Sequence, residues 1–372
     1  MMTEMRGVPL GTTRRAVLRN TAFIAMAGMS ASACGVFSTE PDGGGNGNRA
    51  IGLLLPDDAT NRYEAFDRPL IEAGIAELCE DCEVTHGHAT DVDRQKQQFV
   101  DMLGRGVDVI ILDPVDAAAT GPWVEEAAAE GVPIVAYGRL AEGDIDAYVS
   151  HDARAVGRLQ GRALLDALGD EAPGARVMMI NGPSSDPGAD LIEAGAREVL
   201  DPVVEIVHEQ GIEGGDPALA EEAVASAVRS LGTDGFDAVL AADDALAGGV
   251  VAALRDAGVE DLPVGGGDAD PAGLQRIVSG EQTHTIHRPP APRAAIAAGI
   301  AVRLLDGEDF SDLAPDRVDG TTTEGVPGAL LEPVPVTADN IRETVIADGF
   351  RTVEEICTPG FADECAEAGL GG

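Results

Sequence analysis

Acidic and basic side chains recur in this 372-residue chain directly after short apolar runs. They are Asp57 and Asp58 with Arg62 and Tyr63; Asp113; Arg139; His151 and Asp152; Asn181, Ser184 and Asp186; Asp243 and Asp244; Asp268 and Asp270; and Arg288. A carboxylate accepts hydrogen bonds from hydroxyls, and the arginine fork donates to neighbouring oxygens. Polyol hydroxyls both donate and accept, so this mixture suits a small polyhydroxylated ligand. Each aspartate also has an ordinary role open to it, as helix cap or turn residue. The three arginines have theirs as solvated surface charges.

Patterns that would make the chain an enzyme are missing. Gly265-Gly266-Gly267-Asp268-Ala269-Asp270 lacks the lysine of a phosphate-binding loop and is not a GxGxxG opening a helix. There is no nucleophile elbow and no HExxH. His86 and His88 alternate on one strand pattern, with no third ligand in view, and read as surface residues. No metal or cofactor is expected. With 65 acidic against 25 basic residues the formal net charge is −40, which repels nucleic acid phosphates and anionic lipid headgroups. Nucleic acid is therefore excluded as a partner.

The first 33 residues read as an export signal. Arg14-Arg15 precedes a mild apolar run, Thr21 to Ala33, too short to span a bilayer. The paired arginine matches twin-arginine export. Ala31-Ser32-Ala33-Cys34 resembles a lipobox, which implies a diacylglycerol anchor on Cys34. Residues 34–49 then form a flexible Gly/Asn-rich tether. This places the mature chain on the outer face of the cytoplasmic membrane, lipid-anchored. In that oxidising compartment, Cys79 with Cys82 and Cys357 with Cys365 suggest two local disulfides. A redox pair and a four-cysteine zinc site stay open as other readings.

The elements that must position the charged residues alternate in type. Candidate strands are 51–55, 84–87, 107–113, 133–137, 147–150, 176–180, 205–208, 238–241, 264–266 and 283–287, separated by helical patterns such as 94–103, 153–168 and 291–305. Near-continuously apolar strands imply burial on both faces and a parallel sheet flanked by helices. About ten strands make two such lobes rather than one. Ligands of such sheets sit at the carboxyl ends of the strands.

Several segments resemble the xylose-binding periplasmic proteins among the type I sugar-binding proteins. They are Gly265 to Ile277, Thr283 to Pro289, Gly104 to Ile110, Tyr137-Gly138-Arg139, Asp244 to Gly249, and Thr337 to Phe350. The resemblance spans roughly residues 50–350. It implies an α/β protein of two doubly wound, Rossmann-like lobes joined by a three-crossing hinge, with crossings near 151–155, 284–289 and 325–331. The lobes would comprise 50–153 with 288–327, and 154–287 with 328–345, followed by a C-terminal tail, 346–372. The implied ligand contacts are Arg62, Arg139, Asp186, Asp243, Asp268 and Arg288, with Tyr63 packing on the sugar ring. The implied partners are a monosaccharide and the permease of an ABC importer, and the protein is expected to be monomeric. A sensory subunit for a membrane receptor and a paralogue with altered ligand are the other readings. The chain departs from the family at several points: Pro187 and Gly188 stand where similar proteins carry asparagines, Asp243 replaces an asparagine and Arg288 a lysine. Gly138 stands where similar proteins carry an aspartate, and Gly211 and Gly215 stand where they carry tryptophans.

Overall fold

A computed structural model describes residues 49–56, 62–184, 186–322 and 324–371, with Pro187 as backbone alone. The signal, Cys34, the tether to residue 48, Asp57 and Asp58 lie outside the described residues. Arg49 opens the first strand rather than closing the tether.

The first lobe contains β1 (Arg49–Pro56), α1 (Arg68–Leu78), β2 (Cys82–Ala89), α2 (Val92–Gly104), β3 (Val109–Leu112), α3 (Gly121–Glu130), β4 (Ile134–Tyr137) and β5 (Ala147–His151). The chain then builds the second lobe from α4 (Ala153–Leu168), β6 (Arg176–Asn181), α5 (Pro187–Leu200), β7 (Glu205–Gly211), α6 (Pro217–Leu231), β8 (Ala238–Ala241), α7 (Asp244–Asp256), β9 (Val264–Gly265), α8 (Pro271–Val278) and β10 (Thr285–His287). It returns to the first lobe with α9 (Pro290–Asp306), β11 (Asp316–Val318) and β12 (Val326–Leu331). It closes with β13 (Val334–Val336), α10 (Val353–Ile356) and α11 (Ala362–Glu367).

One sheet runs β11-β12-β5-β4-β3-β1-β2 and the other β7-β6-β8-β9. Within them only the β11–β12 pair is antiparallel. β10 and β13 pair antiparallel between the two. Alternation along each strand explains why both faces are covered. Ile51, Leu53 and Leu55 of β1 join one core with Ile71 and Ile75 of α1 and Ile300 of α9. Leu54 points the other way, into a core with Phe99 of α2 and Trp123 of α3. In the second sheet Met178 and Ile180 face α6 and α7, while Val177 and Met179 face α4 and α5.

The three crossings fall between His151 and Ala153, between His287 and Pro290, and between Leu331 and Val334. The third differs from the expectation. β12 pairs with β5 in the first sheet through Leu331, so a cut after residue 327 falls inside a strand. Pro327 and Gly328 disguised this strand, because both residue types weaken a strand pattern. The C-terminal segment is also no loose extension. Ile341, Val345, Phe350, Ile356, Cys365 and Leu370 form a small core with Leu274 and Ile277 of α8.

Cys79 is bonded to Cys82, closing the turn from α1 into β2, and Cys357 to Cys365, closing the α10–α11 connection. No described helix is long and apolar enough to cross a membrane.

Candidate functional site

At the carboxyl ends of the first sheet, a buried polar knot forms around two aspartates. Asp113, directly after β3, is fully buried and accepts a hydrogen bond from the Tyr63 hydroxyl at Oδ2 (2.9 Å). Arg62 approaches the same oxygen to 3.9 Å, and Arg139 Nη1 stands 3.8 Å from Oδ1 while donating to the Pro114 carbonyl (3.0 Å). Oδ1 has no hydrogen-bond partner among the described residues. Burial raises the Asp113 pKa, opposed by Arg139, Arg62 and Arg293. Beneath it, Asp67 accepts from Arg62 Nε (2.9 Å), from the Tyr137 hydroxyl (2.6 Å) and from Arg293 Nη2 (2.7 Å). Burial alone would raise the Asp67 pKa, but Arg293 and Arg62 with these hydrogen bonds bring it down to about 2.

Tyr63 does not offer the open ring face that the resemblance implies. Its ring is buried, with the Arg62 guanidinium 4.5 Å above its centroid, and its hydroxyl orients Asp113. Gly138 also acquires a reason. Its φ is +71°, and a Cβ there would lie 2.5 Å from Asp113 Oδ2. The space that a side chain at 138 would use is already filled by a carboxylate from β3.

The second lobe presents a different arrangement. Asp243 caps α7 through Leu246 N (2.8 Å) and Asp186 caps α5 through Gly188 N (2.8 Å), so both have the ordinary helix-cap role. Asp268 has φ +89° and Ala269 φ +54°, a left-handed pair that non-glycine residues rarely adopt. The pair is held in place from beneath. Asp268 N donates to Ile286 O (2.8 Å), Ala269 N to Thr285 Oγ1 (3.0 Å) and Asp270 N to Asp244 Oδ2 (2.8 Å). Asp244 is buried and also accepts from Gln282 Nε2 (2.7 Å) and Thr285 Oγ1 (3.0 Å). A Cβ at Gly266 would strike its Oδ1 at 2.4 Å, so the glycine run serves close packing around Asp244. At the loop's outer side Arg288 is paired with Asp268. Burial and the neighbouring Asp268 push Asp243 up to about 6, and burial pushes Asp244 up to about 8.

The first crossing starts at His151. His151 is buried, and neither ring nitrogen has a hydrogen-bond partner among the described residues. Burial, then Arg293, Arg288, His287 and Arg62, hold it neutral, with a pKa of about 2. Arg62 and Arg293 of the first lobe and Arg288 of the second crossing therefore act on one imidazole. Asp186 of the second lobe likewise acts on Arg139 of the first.

The sequence profile of the periplasmic binding protein domain matches residues 51–309. The chain belongs to the periplasmic binding protein family. It is 34% identical over 316 residues to the D-xylose-binding periplasmic protein of Escherichia coli (strain K12), covering 82% of this chain and 92% of that protein. It is 26% identical over 335 residues to the multiple sugar-binding periplasmic receptor of Rhizobium radiobacter, covering 82% and 92%. Among solved structures, an ABC transporter solute binding protein from Clostridium phytofermentans with bound β-D-glucose has a TM-score of 0.71 at 24% identity, covering 82% of this chain and 99% of that one. These relatives are binding proteins rather than enzymes.

In this binding protein Arg62, Tyr63 and Arg139 gather around Asp113, and Asp243, Asp268 and Arg288 gather around the β9–α8 loop. Asp186 reaches the first group only through its charge. Asp67, Arg293, Gln160 and Gln282 were not foreseen. An arginine in the first turn of the otherwise apolar α9 was the available signal for Arg293. Gln160 donates to Ala242 O (2.9 Å) and Gly266 O (3.0 Å), stapling the ends of β8 and β9, and nothing in its spacing announced that.

Proposed function

We propose that this protein captures a monosaccharide, xylose or a related pentose or hexose, outside the cell and delivers it to an ABC importer by hinge closure. The observation that carries the reading is the pair of carboxylate and guanidinium sets at the strand ends of two parallel sheets. The relatives' names support a sugar as ligand, and the family supports an exported location. Arg62, Arg139, Asp186, Asp243, Asp268 and Arg288 are the proposed contacts. Tyr63 acts from beneath by orienting Asp113, whose carboxylate takes the place of the one missing at Gly138. Asp113 joins the set because its buried Oδ1 awaits a donor. Micromolar capture corresponds to about −8 kcal/mol, within reach of several charge-assisted hydrogen bonds after the cost of closure.

A thermal-shift screen against pentoses, hexoses and polyols identifies the ligand. Asp268→Ala is expected to remove most of the ligand-induced stabilisation, and an undiminished shift in that variant would overturn the site. The lobe division, with the first lobe extended to Leu331, belongs to the same proposal. So does anchoring at Cys34: Cys34→Ser should release the protein from membranes, and persistent membrane association would argue against the lipid. A sensory role is the second reading, favoured by the relative named as a receptor. Loss of sugar uptake in a deletion strain supports transport, and intact uptake with lost sugar-dependent signalling supports sensing.

A further inference from the structure

His86 and His88 lie two residues apart on β2, so their side chains share a face of the sheet. It is the face on which α1 packs, since Cys82 and Val84 of the same register lean on the α1 core. The two imidazoles stack with centroids 5.6 Å apart and planes 22° from parallel. The turn ahead of α1 brings Glu64 to them, with Oε1 3.7 Å from His86 Nε2. That nitrogen is buried and has no hydrogen-bond partner among the described residues. One ligating atom from each of Glu64, His86 and His88 lies within 4.8 Å of the other two.

From this juxtaposition we propose that Glu64, His86 and His88 form a binding site for a borderline divalent transition ion of the Zn2+ type, with water completing the shell. Two imidazole nitrogens and one carboxylate oxygen are a donor set suited to such ions, at ligand distances of about 2.0–2.2 Å. The three atoms must draw together by roughly an ångström to reach a tetrahedral edge. Side-chain rotation supplies this, because Glu64 and His88 are exposed. β2 is the edge strand of its sheet, and the exposure of Glu64 and His88 opens that side of the site to solvent. Arg68 Nη1 holds the other Glu64 oxygen (2.8 Å), so Oε1 is the one turned to the histidines. The group stands apart from Cys79 and Cys82, whose sulfurs are bonded to each other. Because Glu64 directly follows Arg62 and Tyr63, an ion here would tether the turn that carries them to β2.

The test is titration of the full chain, free of any histidine tag, with Zn2+ in competition with a chromophoric chelator and without sugar. One Zn2+ per chain is expected, and His88→Ala and Glu64→Gln should each weaken it by about tenfold or more. Circular dichroism without metal confirms that both variants are folded. His208→Ala, a histidine on β7 in the other lobe, should leave the affinity unchanged. Zinc-edge X-ray absorption should show imidazole in the first shell. Failure of the wild-type chain to bind Zn2+, undiminished wild-type affinity in either variant, or sulfur in the shell would each overturn the site. None of these readouts depends on the sugar.

Discussion

Asp67 and Asp113 face three guanidinium groups, whereas in the second set Asp268 pairs with Arg288, Asp270 with Arg351, and Asp243 and Asp244 take neutral donors. Both sets are at strand ends of parallel sheets, and both are made of the same residue type. In the first lobe Arg293 and Arg62 overcome the burial of Asp67 and hold it ionised to a pKa of about 2. In the second, burial dominates, joined at Asp243 by repulsion from Asp268, and Asp243 and Asp244 rise to about 6 and 8. The contrast teaches that direct guanidinium hydrogen bonds, not burial alone, decide which carboxylate ionises: Asp67 has them, whereas Asp243 and Asp244 take neutral donors.

The largest expected effect comes from removing the compensation. Arg293→Met leaves Asp67 buried without its main partner and should destabilise the protein by about 3–5 kcal/mol in denaturant unfolding. A loss below about 1 kcal/mol would erase the distinction between the lobes.

A smaller effect is expected at Gly138. Gly138→Ala forces a side chain into left-handed backbone and against Asp113, at a cost of about 1–3 kcal/mol. In an Asp113→Ser background the contact part of that cost should vanish and the backbone part should remain. Equal costs in both backgrounds would mean that Asp113 does not fill the space.

Acid and base sharpen the comparison further. A carboxyl with a depressed pKa stabilises the fold above the ordinary value of 3.8, and Asp67 loses that contribution as pH falls towards 2. A carboxyl with a raised pKa behaves oppositely. The native state holds its proton longer than the unfolded chain, so the contribution of Asp243 and Asp244 is full below 3.8 and is lost as pH rises through about 6 and 8. Asp244→Asn should therefore flatten the decline in unfolding free energy across that interval, and an unchanged slope would count against a raised Asp244.

The smallest effect concerns the ligand. If Asp243 receives a sugar hydroxyl as a carboxylate, affinity should weaken as pH drops below about 6. Asp243→Asn should abolish that dependence in a titration series.

Much of this architecture was legible because it follows from local pattern. Runs such as Ile51–Leu55 and Ala238–Ala241 are apolar at every position but Gly52, and that signature belongs to strands covered on both faces. β11, β12 and β13 escaped, since they are short or interrupted by Pro327, Gly328 and Pro335. Among the site residues, those placed directly after strands were readable. Asp67, Gln160, Gln282 and Arg293 were not, because they act from helices and connections whose partners lie far away in sequence.

Sequence alone determined the two-sheet α/β class and the positions where charged groups cap strands, since both depend on residues near one another in the chain. Only the tertiary structure decided which carboxylates are ionised, why position 138 has no side chain, and that Glu64 comes to His86 and His88. Those outcomes depend on burial and on charges brought together by folding, and local spacing encodes neither.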